Sequence, residues 1–333
     1  EAPVGGEEAK HSSEVHHAVG ERITELSSSG PWMLTHAYLI FVIPAISYFL
    51  ILFFGKRLPK KGHEIGLISM ASVCTMAVVL AYQWITRGSE FEGEVFGQTF
   101  TWWRNGSLRL GAGTQVDGLA VMMVVVVALI STLVHIYSIE YLRGDIRHTH
   151  YFAALSLFTA SMMMLVLANN TLQLMVGWEL VGLCSFMLIG HWWEDKNNSN
   201  AALKAFFTTR VGDVGLMTGV IMTFFIVQSA TGEGSFSILE INNSALSGTV
   251  SHTLILMTAV ALLIGIIGKS GQFPLHTWLP DAMAGPTPVS ALIHAATMVV
   301  AGVYLGARVY PVFWEGFNIG ESPINPMVVI GSI

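Results

Sequence analysis

The sequence predicts an all-α polytopic membrane protein with about eight to nine transmembrane helices. Hydrophobic residues make up 53% of the 333 positions and charged residues only 11%, far from the balance of an average soluble domain. Apolar runs of roughly twenty residues, the length that a helix needs to cross a bilayer, recur along most of the chain. Lysine and arginine are concentrated in alternate loops between these runs, as in multi-pass membrane proteins.

Hydropathy places eight spans and the start of a ninth. They are expected near residues 33–54, 65–86, 117–138, 150–168, 171–190, 204–227, 252–284 and 287–309, with the further span beginning near 326. The seventh span contains Gly-Lys-Ser-Gly-Gln-Phe-Pro at residues 268–274. Because glycine and proline interrupt helices, this span is predicted to be a broken helix.

The segment between the second and third spans, residues 87–116, is predicted to form a β-hairpin at the outer surface. Apolar residues alternate with polar ones on both sides of residues 105–106, which are Asn-Gly, and this pattern is typical of two strands joined by a tight turn. The alternating apolar residues are Phe96, Phe100, Trp102, Leu108 and Leu110. The alternative is a loop whose Trp102 and Trp103 lie at the membrane interface.

The distribution of cations predicts the orientation, because loops rich in lysine and arginine stay on the cytoplasmic side. The cations of the cytoplasmic loops are Lys56, Arg57, Lys60, Lys61, Arg143, Arg147, Lys196 and Lys204. The loops at 87–116 and 229–250 are expected on the outer side, together with the polar N-terminal tail. The chain begins at Glu1 without a methionine and stops soon after Pro326, so we expect it to be part of a longer polypeptide.

Several classes of site are not indicated by the sequence. Cys74 and Cys184 both lie in apolar runs, which predicts core packing instead of a disulfide or metal site. The chain has no basic stripe for nucleic acid, no phosphate-binding loop and no cysteine set for an iron–sulfur cluster. We therefore expect no cofactor or metal in this chain and no redox catalysis by it.

Ionisable residues occur inside the predicted spans, where a charge facing lipid is costly. They are Glu179, Arg210, Asp213, Lys269 and His294. Each is expected to face protein or water. Lys269 lies at the break in the seventh span, and lysine is a cation that can lose its proton on desolvation. The alternative is a membrane scaffold in which these charges only fix the register of the helices.

Four motifs resemble those of the largest antiporter-like subunit of respiratory complex I. They lie at residues 177–186, 204–213, 268–283 and 284–299, and they include Gly-Trp-Glu-Leu-Val-Gly and Gly-Lys-Ser-Gly-Gln-Phe-Pro-Leu-His. The similarity of arrangement extends from about residue 35 to the end. Related large subunits occur in multisubunit sodium/proton antiporters, membrane hydrogenases and inorganic-carbon uptake complexes, and the motifs separate these assemblies poorly.

The resemblance implies an antiporter-like bundle of two inverted five-helix repeats, each with a discontinuous helix. On this basis residues 1–32 form the polar tail and 33–168 the N-terminal transmembrane helices with the outer hairpin. Residues 169–310 form the first repeat, with its broken helix at 252–284, and residues 311–333 an outer loop and the start of a further helix.

The resemblance also implies a function, which is proton translocation by a subunit of an NADH-quinone oxidoreductase. FMN, iron–sulfur clusters and quinone are then expected in partner subunits, and a neighbouring antiporter-like subunit and lipid are expected around this chain. The expected location is a bacterial inner membrane. The alternative is the large subunit of a sodium/proton antiporter or of a related hydrogenase or inorganic-carbon uptake complex.

Matching the motifs residue by residue assigns expected roles in a proton pathway. Glu179 and Lys269 match the essential carboxylate and the central lysine of the family, which predicts an ion-pair switch. Arg210 and Asp213 match a second ion pair that competes with Lys269 for Glu179.

Three further residues complete the expected pathway. His294 is expected to relay a proton from Lys269, because its ring titrates near neutral pH, although a satisfied core histidine is the alternative. His276 and Asp281 are expected to line an access route from the cytoplasmic side.

Overall fold

The structure is a computed structural model that describes residues 26–88, 94–105, 108–295, 297–319 and 326–332. Within these ranges eight helices are long and apolar enough to cross a membrane, and a two-stranded hairpin accompanies them. The predicted fold class is therefore confirmed. Most of the predicted N-terminal tail, residues 1–25, lies outside the described residues.

Four spanning helices form the N-terminal part of the bundle. A short helix α1 (Trp32–Thr35) precedes α2 (Leu39–Phe54), α3 (His63–Ile85), α4 (Gly118–Tyr141) and α5 (His148–Val166). The first span was predicted to begin at residue 33, but the helix that spans begins at Leu39. The chain leaves the helical conformation at His36, where Thr35 Oγ1 donates a hydrogen bond back to the Trp32 carbonyl.

The predicted hairpin is present and is attached to the bundle by amide side chains. Strand β1 (Thr99–Asn105) pairs antiparallel with β2 (Leu108–Gly113), so that Thr99 lies opposite Gly113. Helix α6 (Thr171–Ile189) holds this end, because Gln173 accepts a hydrogen bond from the Gly113 amide at 2.7 Å and donates one to its carbonyl at 2.9 Å. The hairpin thus covers the start of α6.

Two helices in the second half of the chain pack unusually closely. Helix α7 (Lys196–Thr231) has 36 residues and is longer at both ends than the predicted span at 204–227. It lies against α9 (His252–Ser270), and a Cβ added to Gly212 would meet Gly268 Cα at 2.8 Å. The short helix α8 (Ile238–Ala245), which hydropathy did not predict, connects them.

Both of the last two predicted spans are interrupted. Helix α9 ends where Gly271 adopts a φ of +61°, and the chain continues through α10 (Trp278–Asp281) and a 3₁₀ turn at Ala282–Ala284. The eighth span consists of α11 (Thr287–Ala295) and α12 (Met298–Arg308), where one continuous helix was expected. Thr297 separates them in a non-helical conformation, and its hydroxyl donates to the Leu292 carbonyl at 2.7 Å.

Two more short helices complete the described part of the chain. Helix α13 (Tyr310–Gly316) lies in the segment expected to be an outer loop, and α14 (Pro326–Ser332) starts where the ninth span was predicted.

The loops rich in cations meet at one end of the bundle. Thr149 donates to the Lys61 carbonyl, and Arg147 binds Glu194 across two different loops. The loops at 55–62, 142–147 and 190–195 define what is called the cation-rich end below, and the hairpin lies at the opposite end with Asn169 and Asn170. The side of the membrane that each end faces stays a prediction.

Candidate functional site

Lys269 lies in the last turn of α9, immediately before the interruption, and its side chain is completely buried. The amides of Gly271 and Gln272 both bind the Ile267 carbonyl, which closes the helix end. The Trp278 indole donates to the Gly268 carbonyl at 3.0 Å and satisfies another carbonyl of this turn. The sequence therefore places a lysine where the helix stops inside the protein.

Four ionisable side chains form a continuous group, which we call the buried charge row: Glu179, Arg210, Asp213 and Lys269. Lys269 Nζ lies 3.6 Å from Asp213 Oδ2, and Arg210 Nη1 lies 3.3 Å from the same oxygen. Arg210 also forms an ion pair with Glu179. Asp213 and Lys269 are buried, whereas the Glu179 side chain is 39% exposed, so the row runs from the interior toward the surface of the chain.

The structure therefore pairs the predicted residues differently from the expected switch. Among the described residues Glu179 and Lys269 do not pair with each other, because Glu179 binds Arg210 and Lys269 lies beside Asp213. The close approach of α7 to α9 brings Asp213 to the lysine. An exchange in which Lys269 takes Glu179 stays a prediction.

Two further residues of the α6 motif, Trp178 and Gly182, position this group. Trp178 donates its indole N–H to Asp213 Oδ1 at 2.6 Å, and its ring lies 5.7 Å from Lys269 Nζ. Gly182 leaves room for both cations, because an added Cβ would lie 2.7 Å from Lys269 Nζ and 3.0 Å from Arg210 Nη2. Trp178 directly precedes Glu179 and Gly182 follows it by three residues, and that proximity in the motif was the available signal.

His294 is connected to the turn of Lys269 through Trp278. The Trp278 ring stacks on the His294 ring with centroids 6.3 Å apart and an interplanar angle of 25°. Among the described residues, the buried His294 Nε2 and Ser290 Oγ have no hydrogen-bond partner. His294 thus lies near the chain interruption at Thr297 with a ring nitrogen that has no partner among the described residues, and its role as a proton relay stays a prediction.

His276 and Asp281 lie away from the buried charge row. His276 is exposed and stacks on Phe273 at 6.0 Å. Asp281 binds Lys204 Nζ at 2.5 Å, and both side chains are nearly half exposed. The expected access route along these two residues stays a prediction, and Lys204 is an ion-pair partner that sequence reasoning did not foresee.

A second buried ion pair lies toward the hairpin end and was not predicted. Arg308, which is 4% exposed, binds both Asp117 and the Tyr304 hydroxyl. Asp117 also caps α4 by accepting a hydrogen bond from the Ala120 amide at 2.9 Å. Tyr304 in turn donates to the Val166 carbonyl at 2.5 Å, so this pair ties α12 to the ends of α4 and α5.

Within the described ranges, no group of three or more His, Cys, Asp or Glu side chains could hold a metal ion. In the buried charge row and in the Arg308 pair, cationic, acidic and hydroxyl side chains lie within hydrogen-bond or ion-pair distance of one another. Such an arrangement can bind and release protons and can shift charge within the membrane region.

Comparison with known proteins identifies the family. Residues 168–332 match the family model described as NADH:quinone oxidoreductase/Mrp antiporter, TM. Residues 102–152 match the model described as NADH-Ubiquinone oxidoreductase (complex I), chain 5 N-terminus.

Individual relatives agree with these models. The chain is 41% identical over 296 residues to F(420)H(2) dehydrogenase subunit L of Methanosarcina mazei, which covers 83% of this chain and 42% of the relative. It is 37% identical over 300 residues to NADH-quinone oxidoreductase subunit L of Mycobacterium tuberculosis, with 90% of this chain and 45% of the relative covered. The chain thus spans less than half the length of these curated relatives.

The solved Mrp complex from Dietzia sp. is similar in structure, with a TM-score of 0.64 and 30% sequence identity over 82% of this chain and 27% of that one. The eight apolar helices and the hairpin agree with the assignment that both family models give. This multi-pass membrane protein therefore belongs to the antiporter-like membrane subunits of the NADH:quinone oxidoreductase and Mrp antiporter family, of the complex I subunit L or chain 5 type.

Proposed function

We propose that this chain translocates protons as a subunit of an NADH-quinone oxidoreductase and that Lys269 binds the proton. The observation that supports the proposal is a lysine with no exposed surface at the interrupted end of α9, 3.6 Å from a buried aspartate. An unpaired ammonium at the centre of a membrane helix costs at least about 2.5–3.5 kcal/mol. The charge on Lys269 therefore depends on whether Asp213 stays available to it.

The position of Arg210 decides that availability. In the present arrangement Arg210 binds Glu179, and Lys269 keeps Asp213 as its counter-charge. If Arg210 moves fully onto Asp213, which is already 3.3 Å away, Lys269 loses its partner and releasing the proton removes an uncompensated charge. Because these four groups interact strongly, they titrate as a set and not one at a time.

The released proton needs an acceptor outside the buried charge row, and His294 is a candidate because Trp278 connects it to the turn of Lys269. Trp278 touches both the turn of Lys269 and the His294 ring. In the reverse step, pairing of Lys269 with Glu179 or Asp213 restores the charged lysine. Such competition between ion pairs requires only side-chain movements, and it links this chain to any neighbour that changes the charge near Glu179, which is part-exposed.

The driving reaction belongs to other subunits in this proposal. FMN, iron–sulfur clusters and quinone are expected there, and this chain contributes charge movement without redox catalysis of its own. A neighbouring antiporter-like subunit and lipid complete its surroundings in a bacterial inner membrane. The electron donor is left open, since the names of the relatives include both an F(420)H(2) dehydrogenase and an NADH-quinone oxidoreductase.

The second candidate function is that of the large subunit of a sodium/proton antiporter. The similarity to the Dietzia Mrp complex favours it, and the family model whose description names both NADH:quinone oxidoreductase and the Mrp antiporter matches residues 168–332, which contain the buried charge row and the broken helix. A related hydrogenase or inorganic-carbon uptake complex is a further version of this alternative. An antiporter would exchange ions without an electron donor.

The deciding experiment measures proton uptake by sealed inside-out vesicles that contain the intact parent complex, during oxidation of NADH and with a sodium ionophore present. Lys269→Ala is compared with wild type, and Lys196→Ala serves as the matched control because Lys196 is exposed at the start of α7. We expect an assembled Lys269→Ala complex that pumps far fewer protons per electron, while Lys196→Ala pumps normally.

Two other results would replace the proposal. Proton movement that requires a sodium gradient and does not depend on oxidation of the electron donor would establish the antiporter function. Loss of assembly in Lys269→Ala, together with normal pumping in an assembled Lys269→Met complex, would assign the buried charge row to helix register alone.

A further inference from the structure

A second group of titratable side chains lies among α3, α4 and α5, apart from the buried charge row. His63 begins α3, His148 begins α5, and His135 lies on α4. All three imidazole rings pack against Phe152, with ring centroids at 5.7 Å for His63, 4.8 Å for His148 and 6.1 Å for His135. One phenyl ring is therefore the shared neighbour of three histidines.

His63 and His148 form a hydrogen-bonded pair whose polarity is fixed by a carbonyl. His148 Nδ1 lies 3.1 Å from the Leu142 carbonyl, which can only accept, so Nδ1 carries a proton. In the neutral ring His148 Nε2 is then an acceptor, and His63 Nδ1 donates to it across 3.1 Å. A second proton on His148 reverses this bond, so the pair can pass a proton without moving its heavy atoms.

The pair is reached from the cation-rich end through a cavity of about 380 Å³. Both histidines line this cavity, together with Lys61, Glu140 and Arg143, which lie on the surrounding loops and helix end. Glu140 and Arg143 form an exposed ion pair at its edge. Water and protons from this side therefore reach the His63–His148 pair without crossing an apolar layer.

His135 lies beyond Phe152 and has no exposed surface. Its Nδ1 lies 2.8 Å from the Ser131 carbonyl and must carry the proton of that hydrogen bond. Its Nε2 is consequently the basic nitrogen, and this atom has no hydrogen-bond partner among the described residues. A buried imidazole with a free lone pair is unfavourable as packing alone, and because burial also makes its charged form costly, a proton bound there is readily released again.

Hydroxyl groups continue this polar region toward the middle of the bundle. Ser131 Oγ lies 2.5 Å from Thr159 Oγ1, and the hydroxyls of Ser69 and Ser156 are buried without a partner among the described side chains. Ser156 follows Phe152 by four residues and precedes Thr159 by three, so these side chains share one face of α5. The helices that carry His135 and its neighbour Phe152 therefore also carry buried hydroxyls that can orient a bound water.

The burial of His135 is not explained by an ion pair with a charged side chain. His135 takes part in no ion pair among the described residues, and the three histidines are not part of any group that could hold a metal. The titratable groups on α4 and on the helices that pack against it are His63, Glu64, Cys74, Tyr82, Tyr137, Glu140, Tyr141, His148, His150, Tyr151 and His294. Of these, His63 and His148 share the Phe152 contact with His135 and lie at the cation-rich end, so they provide a route to His135 from that end.

We propose that His135 is a second proton-binding site of this chain, loaded from the cation-rich end through the His63–His148 pair, with Phe152 as the barrier between them. A turn of the Phe152 ring opens the path, and the ring closes it again when it packs against all three histidines. The proposal does not depend on pumping at Lys269, because it concerns proton access and binding and not net transport.

The test is hydrogen–deuterium exchange at the imidazole C2 positions, measured by mass spectrometry of peptides from the intact parent complex over a range of pH. This exchange requires a protonated ring and access of hydroxide, so it reports protonation and access together. We expect His135 to exchange, and Phe152→Ala to speed this exchange about tenfold, the change that a barrier lowered by about 1.4 kcal/mol produces. Replacing His63 and His148 together by Phe is expected to slow it by a similar factor.

The controls separate this barrier from general loosening of the fold. Phe158→Ala removes another completely buried phenylalanine of α5, and exposed His276 is an internal reference in every sample. The proposal is overturned if Phe158→Ala speeds exchange at His135 as much as Phe152→Ala does. It is equally overturned if His135 of the wild type has not exchanged by the time that exchange at His276 is complete. The same holds if replacing both His63 and His148 leaves the exchange rate of His135 unchanged.

Discussion

Lys269 Nζ and Asp213 Oδ2 lie 3.6 Å apart across the contact between α9 and α7, where a Cβ added to Gly212 would lie 2.8 Å from Gly268 Cα. Asp213 is shared, because Arg210 Nη1 lies 3.3 Å from the same carboxylate. Electrostatic interactions strengthen as the local dielectric falls, so a small displacement of Arg210 changes the charge balance at Lys269 strongly. The aspartate is thus the residue through which the outer part of the buried charge row acts on the lysine.

Trp178→Phe is expected to reduce proton pumping while the complex still assembles. The change keeps an aromatic ring next to Lys269 but removes the indole N–H that donates to Asp213 at 2.6 Å. A hydrogen bond to a charged group contributes about 1.5–3 kcal/mol, so loss of this one corresponds to roughly a tenfold or larger effect on the balance of the charged states. Proton uptake per electron in vesicles is the measurement.

The matched control for this substitution is Trp193→Phe. Trp193 is 55% exposed at the cation-rich end and does not contact the buried charge row. Normal pumping in both variants would show that the orientation of Asp213 by Trp178 is irrelevant to transport.

Gly182→Ala is expected to impair pumping through a single added methyl group. That methyl would lie 2.7 Å from Lys269 Nζ and 3.0 Å from Arg210 Nη2, so both cations must shift away from α6. Alanine is favoured over glycine in a helix by about 1 kcal/mol, so intrinsic helix propensity does not explain a loss of function. Proton uptake and the apparent Tm of the solubilised complex are measured together.

Gly306→Ala on α12 is the control for Gly182→Ala. An added Cβ there meets Ile266 Cδ1 at 3.5 Å, which is ordinary van der Waals contact. We expect Gly306→Ala to pump like wild type with an equal or higher Tm. Equal pumping by the two alanine variants would contradict the steric argument at Gly182.

The spans and the hairpin could be predicted because their signals are local. Apolar runs of membrane length and the alternation around residues 105–106 do not depend on distant parts of the chain, and both are present in the structure. The break after Lys269 was predictable for the same reason, since Gly271 and Pro274 are in the sequence itself. The interruption at Thr297 lacks such a residue, and the short α8 and α13 are below the length that hydropathy detects.

The partners of the buried charges could not be predicted, because they depend on tertiary packing. Spacing along α7 correctly indicated that Arg210 and Asp213 share a face, but only the contact between Gly212 and Gly268 sets how closely Asp213 approaches Lys269. Arg308 and Asp117 are far apart in the chain, and neither stands in a motif that pairs them. Side chains on one helix can be matched from spacing, whereas partners on different helices require the fold.

Asp117→Asn is expected to destabilise the protein by about 3–5 kcal/mol, the usual cost of removing one partner from a buried ion pair. Arg308 is 4% exposed and would lose its counter-charge, while an asparagine could still accept the hydrogen bond from the Ala120 amide that caps α4. Thermal unfolding of the solubilised complex measures the loss as a lower apparent Tm.

A double variant tests whether the unpaired charge is the cause. Replacing Arg308 by Met in the Asp117→Asn background removes that charge and is expected to recover part of the lost stability. Asp281→Asn breaks the part-exposed pair with Lys204 and is expected to cost less than about 1 kcal/mol. Equal costs for Asp117→Asn and Asp281→Asn would contradict the assigned burial of the Arg308 pair.

Acidification is expected to destabilise the cation-rich end through Asp145 and His191, which lie 3.4 Å apart on two loops. Burial opposes the charged form of Asp145, but hydrogen bonds from the Trp192 indole and the Arg147 amide, with His191 beside it, outweigh burial and hold the pKa of Asp145 below its usual value. Burial lowers the pKa of His191. The unfolded chain therefore binds a proton on either residue more readily than the folded protein does.

The sign of the effect follows for each group. The contribution of Asp145 is complete above the usual carboxyl pKa of about 3.9 and is lost as pH falls through its lower folded pKa. For His191, stability falls as pH drops below the usual value of about 6.5, because the unfolded ring is protonated first. We therefore expect the apparent Tm of the wild type to fall between about pH 7 and pH 5.

Three variants test this dependence of Tm on pH. His191→Gln should flatten the slope of Tm against pH, and Asp145→Asn should steepen it, because His191 then lacks the carboxylate that favours its charged form. His276→Gln, at an exposed histidine, should leave the slope as it is. Identical slopes for His191→Gln and wild type would show that another group controls the acid sensitivity.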